Sequence, residues 1–233
     1  MMKIKKDAAR KIGWKSVIIT FFTALALLAL GSPACSDTAG VSLGKNYFVL
    51  KGGIFTPGST DLKGFSTGFN GEIGYGRYLN DNFALELGVG YFQTSNSSTL
   101  AGSSADDYLS GNAKLDLWII PVTATVKVIY PIYQFEVYAL GGAGAYFVNY
   151  KLDYAVNAKI GGKTANASGS PSSNTAAFGG FAGVGANYNF PNKWYVGAEG
   201  KYLWTRPNMG FEGNDVGVNL YGWIVTGQVG YKF

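Results

Sequence analysis

The stretch "LYGWIVTGQVGYKF", Leu220 to Phe233, decides how the rest of the sequence is read. Trp223, Val225, Val229, Tyr231 and Phe233 take one set of alternate positions. Thr226, Gln228, Gly230 and Lys232 take the other. Successive side chains of a strand point to opposite sides, so period two means a strand with one apolar face. Such a face has to be covered, and what covers it depends on whether the pattern recurs.

It recurs seven times. The segment 46–55 sets Phe48, Leu50 and Ile54 against Lys51, and 68–79 sets Phe69, Ile73 and Tyr75 against Asn70 and Glu72. Next, 83–92 sets Phe83, Leu85, Leu87, Val89 and Tyr91 against Glu86. The segment 114–130 carries Val122, Ala124, Val126 and Val128 against Thr123, Thr125 and Lys127. Its beginning, "LDLWIIP", runs in the other phase, which predicts a bulge near Pro121. Then 135–150 opposes Phe135, Val137, Ala139 and Phe147 to Glu136 and Tyr138; 178–190 follows. Finally, 194–204 has Trp194, Val196, Ala198, Tyr202 and Trp204 opposite Glu199 and Lys201. With the opening stretch, that makes eight strands.

The connections alternate in length. Those after the second, fourth and sixth strands are short. Those at 57–66, 94–113, 151–177 and 205–217 are long and polar, as in "TSNSSTLAGSSADD". An even strand count with short turns at one end and long segments at the other is the pattern of bacterial outer-membrane barrels. Trp194 and Trp204 share a face ten residues apart, as do Trp223 and Phe233. Ten residues at about 3.3 Å span roughly 33 Å, which a tilt of about 40° reduces to the roughly 25 Å between two aromatic girdles. The expected girdle residues are Trp194, Trp204, Tyr221 and Trp223. The predicted fold is therefore all-β: a closed, antiparallel, up-and-down transmembrane barrel of eight strands over 46–233. Closure leaves no unpaired backbone in the hydrocarbon.

The front of the chain fits such a destination. Lys3, Lys5, Lys6, Arg10, Lys11 and Lys15 precede an apolar run from Val17 to Leu30, and small residues follow. This is the layout of a cleavable signal helix, expected over 1–34 with cleavage as late as 39; 35–45 is then a short N-terminal segment. Cys35 is the single cysteine, which excludes an intrachain disulfide. It follows the apolar run as a lipidated cysteine does, yet Ser32 stands where lipoprotein signals carry an aliphatic residue. The first 35 residues hold six basic residues and Asp7. Of the chain's 19 basic and 14 acidic residues, 13 of each remain beyond them. A neutral mature chain gives no support to nucleic-acid binding.

The strand pattern, the asymmetric connections and the terminal "GQVGYKF" resemble the small eight-stranded outer-membrane barrels of the OmpA/OmpX type, the outer membrane protein beta-barrel group. The resemblance covers 46–233. It implies a Gram-negative cell envelope, with the lipid bilayer and outer-leaflet lipopolysaccharide as surroundings. It also implies that Val225, Val229, Tyr231 and Phe233 form the signal read by the barrel-assembly machinery.

There is no histidine, which removes histidine triads, histidine metal sites and histidine bases. "LGGAGAY" lacks the spacing of a phosphate loop. No enzyme activity and no cofactor are expected. The informative set is the charges on the inward phase: Lys51, Glu72, Glu86, Lys127, Glu136, Glu199, Lys201 and Lys232. An eight-stranded barrel is only wide enough for side chains to fill it, and buried charges need partners. The expectation is a plugged, salt-bridged interior, with the long connections binding an unknown ligand or surface partner. The alternative is a narrow pore, or an OmpW-like channel for small or hydrophobic solutes, helped by Tyr138, Leu140, Tyr146 and Leu203.

Overall fold

The computed structural model describes residues 45–104, 107–160, 163–211 and 214–233. The signal helix, its cleavage point, Cys35 and all of the 35–45 segment except Lys45 lie outside the described residues.

The alternating segments form strands. They are β1 (Asn46–Pro57), β2 (Gly68–Asn80), β3 (Phe83–Ser104), β4 (Asp107–Ile132), β5 (Phe135–Ile160), β6 (Lys163–Gly169), β7 (Ser172–Asn189), β8 (Trp194–Thr205), β9 (Asn208–Phe211), β10 (Asn214–Gly217) and β11 (Leu220–Lys232). Eight of them, β1, β2, β3, β4, β5, β7, β8 and β11, pair with their chain neighbours in one antiparallel sheet. β11 returns to β1 over Tyr47–Pro57 and closes the ring. The backbone amides and carbonyls of Asn46 and Phe233 complete that seam.

Tilt follows from the register. Hydrogen-bonded neighbours lead from Asn46 through Arg77, Leu85, Val126, Gly141, Ala182, Tyr202 and Trp223 to Thr56, ten residues along the first strand. Ten residues at about 3.3 Å against eight spacings of about 4.8 Å set a lean of roughly 40°.

The ring is apolar outside and charged within. Phe48, Leu50, Ile54, Ile73, Val128 and Val184 are exposed on its outer wall, while Lys51, Glu72, Lys127 and Glu199 are buried inside. A sheet with this distribution buries its outer side chains only in lipid. Tight turns join the strands at one end: Asp81-Asn82, then Tyr133-Gln134 with Tyr133 at φ 54°, then the residues before Trp194.

Two expectations need correcting. No bulge forms at Pro121: the β4–β5 ladder runs through Pro121↔Tyr146 without a shift. The β3–β4 register is the same on either side of it, Val89↔Val122 and Phe92↔Ile119. The phase never changes; Leu117 and Ile119 simply face inward, where the sequence pattern had them outward. The register shift lies instead between Tyr78 and Asn80. Second, the long connections are largely strand. β3 and β4 stay paired from Gln93↔Trp118 out to Ser104↔Asp107, and β5 continues to Ile160. β6 adds to β5 over Tyr154–Ile160. Within the segments expected as polar loops at 94–113 and 151–177, the described residues of β3, β4, β5 and β6 thus form a four-stranded sheet, β3-β4-β5-β6, standing beyond the ring, while β7 begins at Ser172. At about 3.3 Å per residue and a lean of roughly 40°, the 26 residues of β4 rise roughly 65 Å, of which the apolar band takes roughly 25 Å. The connection 205–217 carries the β9–β10 hairpin, and 57–66 carries a 3-10 turn at Thr60–Leu62.

Candidate functional site

Strand parity places the charged side chains. Lys51 of β1, Glu72 of β2, Glu86 of β3, Lys127 of β4, Glu136 of β5, Glu199 and Lys201 of β8 and Lys232 of β11 all point into the ring. None is more than 6 % exposed. They form two groups.

The larger group holds three acids and three bases. The Lys51 ammonium donates to Glu86 at 2.7 Å and to both Glu199 oxygens at 3.1 Å, and stands 3.3 Å from Glu72. Lys127 donates to the other Glu86 oxygen at 2.5 Å. Lys201 donates to Glu72 at 2.7 Å and lies 3.5 Å from Glu199. The smaller group is a single pair: Lys232 donates to Glu136 at 2.6 Å, nearer the short turns. Each group is neutral in itself, which is the condition for ions to persist away from water.

Tyrosines complete both groups, and the charge pattern alone did not name them. Tyr47 donates to Glu86 at 2.9 Å, Tyr138 to Glu199 at 3.2 Å and Tyr78 to Glu136 at 3.1 Å. Gln228 in turn donates to Tyr138 at 2.7 Å. The lysines also sit over rings: Lys127 lies 4.9 Å from the Tyr138 centroid, and Lys232 lies 4.9 Å from that of Tyr78. A readable signal exists. Tyr47, Tyr138 and Tyr195 each stand opposite a glycine on the next strand, Gly76, Gly185 and Gly230. A Cβ at those glycines would come within 2.0, 2.4 and 2.2 Å of the rings. The tyrosines lie flat across the neighbouring backbone because no side chain is there.

Toward the long connections the interior becomes apolar. Phe55, Phe92, Leu117, Ile119, Tyr146, Val148, Tyr150, Leu203, Leu220 and Ile224 form one buried cluster. Leu62 of the 3-10 turn is buried in it, with Phe65 and Val218 packed against it. The turn is anchored across the mouth: Ser59 donates to the Asn219 carbonyl at 2.5 Å, and Asp61 accepts from the Asn219 amide at 2.8 Å. Tyr138 and Leu140 belong to a separate cluster, with Tyr47 and Tyr195, near the other end.

The outer wall carries the remaining residues. Val225, Val229, Tyr231 and Phe233 are exposed on one face of β11, between 37 and 52 %. Phe233 stacks on Phe48 at 5.3 Å. Trp194, beside Tyr231 at 5.2 Å, marks the short-turn rim. Trp204 pairs with Tyr221, and Trp223 with Tyr202, near the other rim.

Beyond that rim, Lys114 pairs with Asp116 at 2.9 Å and Lys151 with Asp153 at 3.0 Å. The register sets Lys114 across from Asp153 and Asp116 across from Lys151, a square of alternating charge at the base of the standing sheet. The Ser170 hydroxyl and the Lys151 ammonium hold the Asp153 carboxyl below the usual carboxylate range. Asp116 beside Lys114 raises its ammonium.

A family model described as outer membrane protein beta-barrel domain matches residues 22–233. Among solved structures, the Neisserial surface protein A is 16% identical; the match covers 82% of this chain and 99% of that one, with a TM-score of 0.43. Ail, the attachment invasion locus protein of Yersinia pestis, is 14% identical over 81% of this chain and 99% of its own, with a TM-score of 0.38. The N-terminal β-barrel domain of Pseudomonas aeruginosa OprF is 16% identical over 82% and 99%, with a TM-score of 0.36. No curated protein matches the sequence.

Proposed function

We propose, for a chain that belongs to the outer membrane protein beta-barrel domain family, that it is a non-conducting outer-membrane anchor that presents its standing sheet to surface partners. The observation that carries this is the interior. Among the described residues, eight inward-pointing charges are matched four against four, and an apolar layer roofed by Leu62 lies above them. A hydrated ion passing through would have to separate at least one of these pairs and displace the apolar layer. Separating a buried pair costs about 3–5 kcal/mol, before any cost of moving the apolar residues. In this reading the short turns face the periplasm, and β3-β4-β5-β6 stands outside among the lipopolysaccharide sugars. In this reading the work done outside is binding, through the standing sheet. The barrel-assembly machinery reads Val225, Val229, Tyr231 and Phe233 during insertion, and the lipid holds the outer wall afterwards.

The test is conductance of the folded protein in a planar lipid bilayer. Silence, from protein shown to be folded, is the expected result. Stable and reproducible openings would overturn it and make the charge clusters a gate for a narrow pore.

A further inference from the structure

We infer that the ring holds a buried water site over Gly53, between Asn70 of β2 and Thr226 of β11, where the charged layer meets the apolar one. The site is independent of the proposed binding outside and rests on the ring alone.

Three inward oxygens are short of partners. Among the described residues, Asn70 Oδ1, Thr226 Oγ1 and Gln228 Oε1 take part in no hydrogen bond. Asn70 is 1 % exposed, Thr226 2 % and Gln228 7 %. Buried polar side chains are ordinarily paired, with protein or with ordered water.

The register brings the first two together. Gly53 pairs with Asn70 on one side and with Thr226 on the other, so they flank a residue of β1 that has no side chain. Position 53 cannot carry one without moving the backbone, because a Cβ there would come within 1.9 Å of the Val225 carbonyl oxygen. The backbones of β2 and β11 lie two spacings of about 4.8 Å apart. Two short side chains reaching in from either side leave a gap on the scale of one or two waters.

The gap is closed above and below. Toward the mouth stand Phe55 and Phe92, both 0 % exposed, with ring centroids 4.7 Å apart; Phe92 pairs with Asn70. Toward the short turns stands Lys51, 3.3 Å from Glu72 and 3.1 Å from Glu199. None of these neighbours supplies the missing bonds. Lys51 directs its hydrogens to Glu86 and Glu199, and Lys201 donates to Glu72. The Gln228 amide nitrogen donates to Tyr138 and Asn187. Asn70 Oδ1 and Gln228 Oε1 only accept, so they cannot satisfy each other, and the Thr226 hydroxyl holds a single hydrogen. A water brings two hydrogens and two lone pairs. It donates to Asn70, accepts from Thr226 and keeps a hydrogen for Gln228 or a carboxylate.

A cation is the competing occupant, since all three orphans are oxygens. Charge decides against it. Lys51, Lys127 and Lys201 already balance Glu72, Glu86 and Glu199, so a further cation would be buried without a counter-ion.

The test uses the full barrel in lipid nanodiscs and follows NMR magnetisation transfer from water to the protein. Direct, long-lived transfer to the Gly53 Hα protons and to the Asn70 side-chain amide is expected. Thr226→Val should weaken it about threefold or more, and Thr226→Ser, which keeps the hydroxyl, should retain it. The urea midpoint gives a second readout. A water-bonded hydroxyl makes Thr226→Val less stable, with a lower midpoint. A hydroxyl with no partner makes the same change neutral or stabilising, because a methyl group of the same shape replaces an unmet polar group. An unchanged or raised midpoint therefore overturns the inference. So does the absence of transfer at Gly53 and Asn70 in the unaltered protein. Transfer that disappears as sodium chloride is raised also overturns it, since the occupant is then a cation. If Thr226→Val fails to fold, the unaltered protein and Thr226→Ser decide the matter by transfer alone.

Discussion

Glu136→Leu isolates one buried cation. Glu136 accepts from Lys232 at 2.6 Å and from Tyr78 at 3.1 Å, and no other acid contacts Lys232 within salt-bridge distance among the described residues. With the carboxylate gone, Lys232, 3 % exposed, keeps only the ring faces of Tyr78 at 4.9 Å and Tyr195 at 5.5 Å. Those contacts exist before the change and offset nothing new. Removing one partner of a buried pair costs about 3–5 kcal/mol. The double variant Glu136→Leu with Lys232→Leu removes both charges. It should lie within about 2 kcal/mol of the unaltered protein, the remainder being the Tyr78 hydroxyl left without its acceptor. Lys232→Leu in turn leaves Glu136 buried without its cation, at a similar cost, so the double-mutant cycle should give a coupling of at least about 4 kcal/mol. Urea unfolding in lipid vesicles, followed by tryptophan fluorescence, reads all four proteins. A single variant as stable as the unaltered barrel would refute the buried pair. So would a double variant whose loss equals the sum of the two singles.

Three other changes probe different parts. Gly76→Leu places a side chain where the Tyr47 ring lies and pushes its hydroxyl off Glu86, which should cost about 1–3 kcal/mol in the same titration. Leu62→Ala empties the roof of the apolar cluster; a loss of about 2 kcal/mol is expected, and none at all would mean the turn does not pack there. Phe233→Ala removes the ring stacked on Phe48; a stability loss of about 1 kcal/mol and slower assembly into bacterial membranes are expected, read by heat-modifiable gel mobility.

The ring was legible because alternation survives wherever the outer face meets lipid. Leu50 beside Lys51, or Val128 beside Lys127, leaves little choice of which side is which. The same rule failed at Leu117 and Ile119. There the interior changes from ionic to apolar, so an apolar residue no longer signals the outer wall, and an unbroken strand looks like a change of phase. The standing sheet escaped for a different reason. "TSNSSTLAGSS" has the composition of a loop, and its strand form comes from continuing a ladder that β3 and β4 have already begun. The charged residues could be listed from parity, but which carboxylate meets which ammonium depends on ring closure. Lys51 reaches Glu199 only because β11 sits between their strands and the ring brings them across the lumen.

The most direct test of the central claim, a transmembrane ring turned inside out, is a nitroxide scan along β11 in lipid vesicles. Single labels at 223 to 231, on a chain with Cys35 replaced by serine, report oxygen collision rates. High rates at odd positions and low rates at even positions are predicted, because Trp223, Val225, Val229 and Tyr231 meet lipid while Thr226, Gln228 and Gly230 face the packed interior. Equal rates along the strand, or water-accessible odd positions, would contradict it.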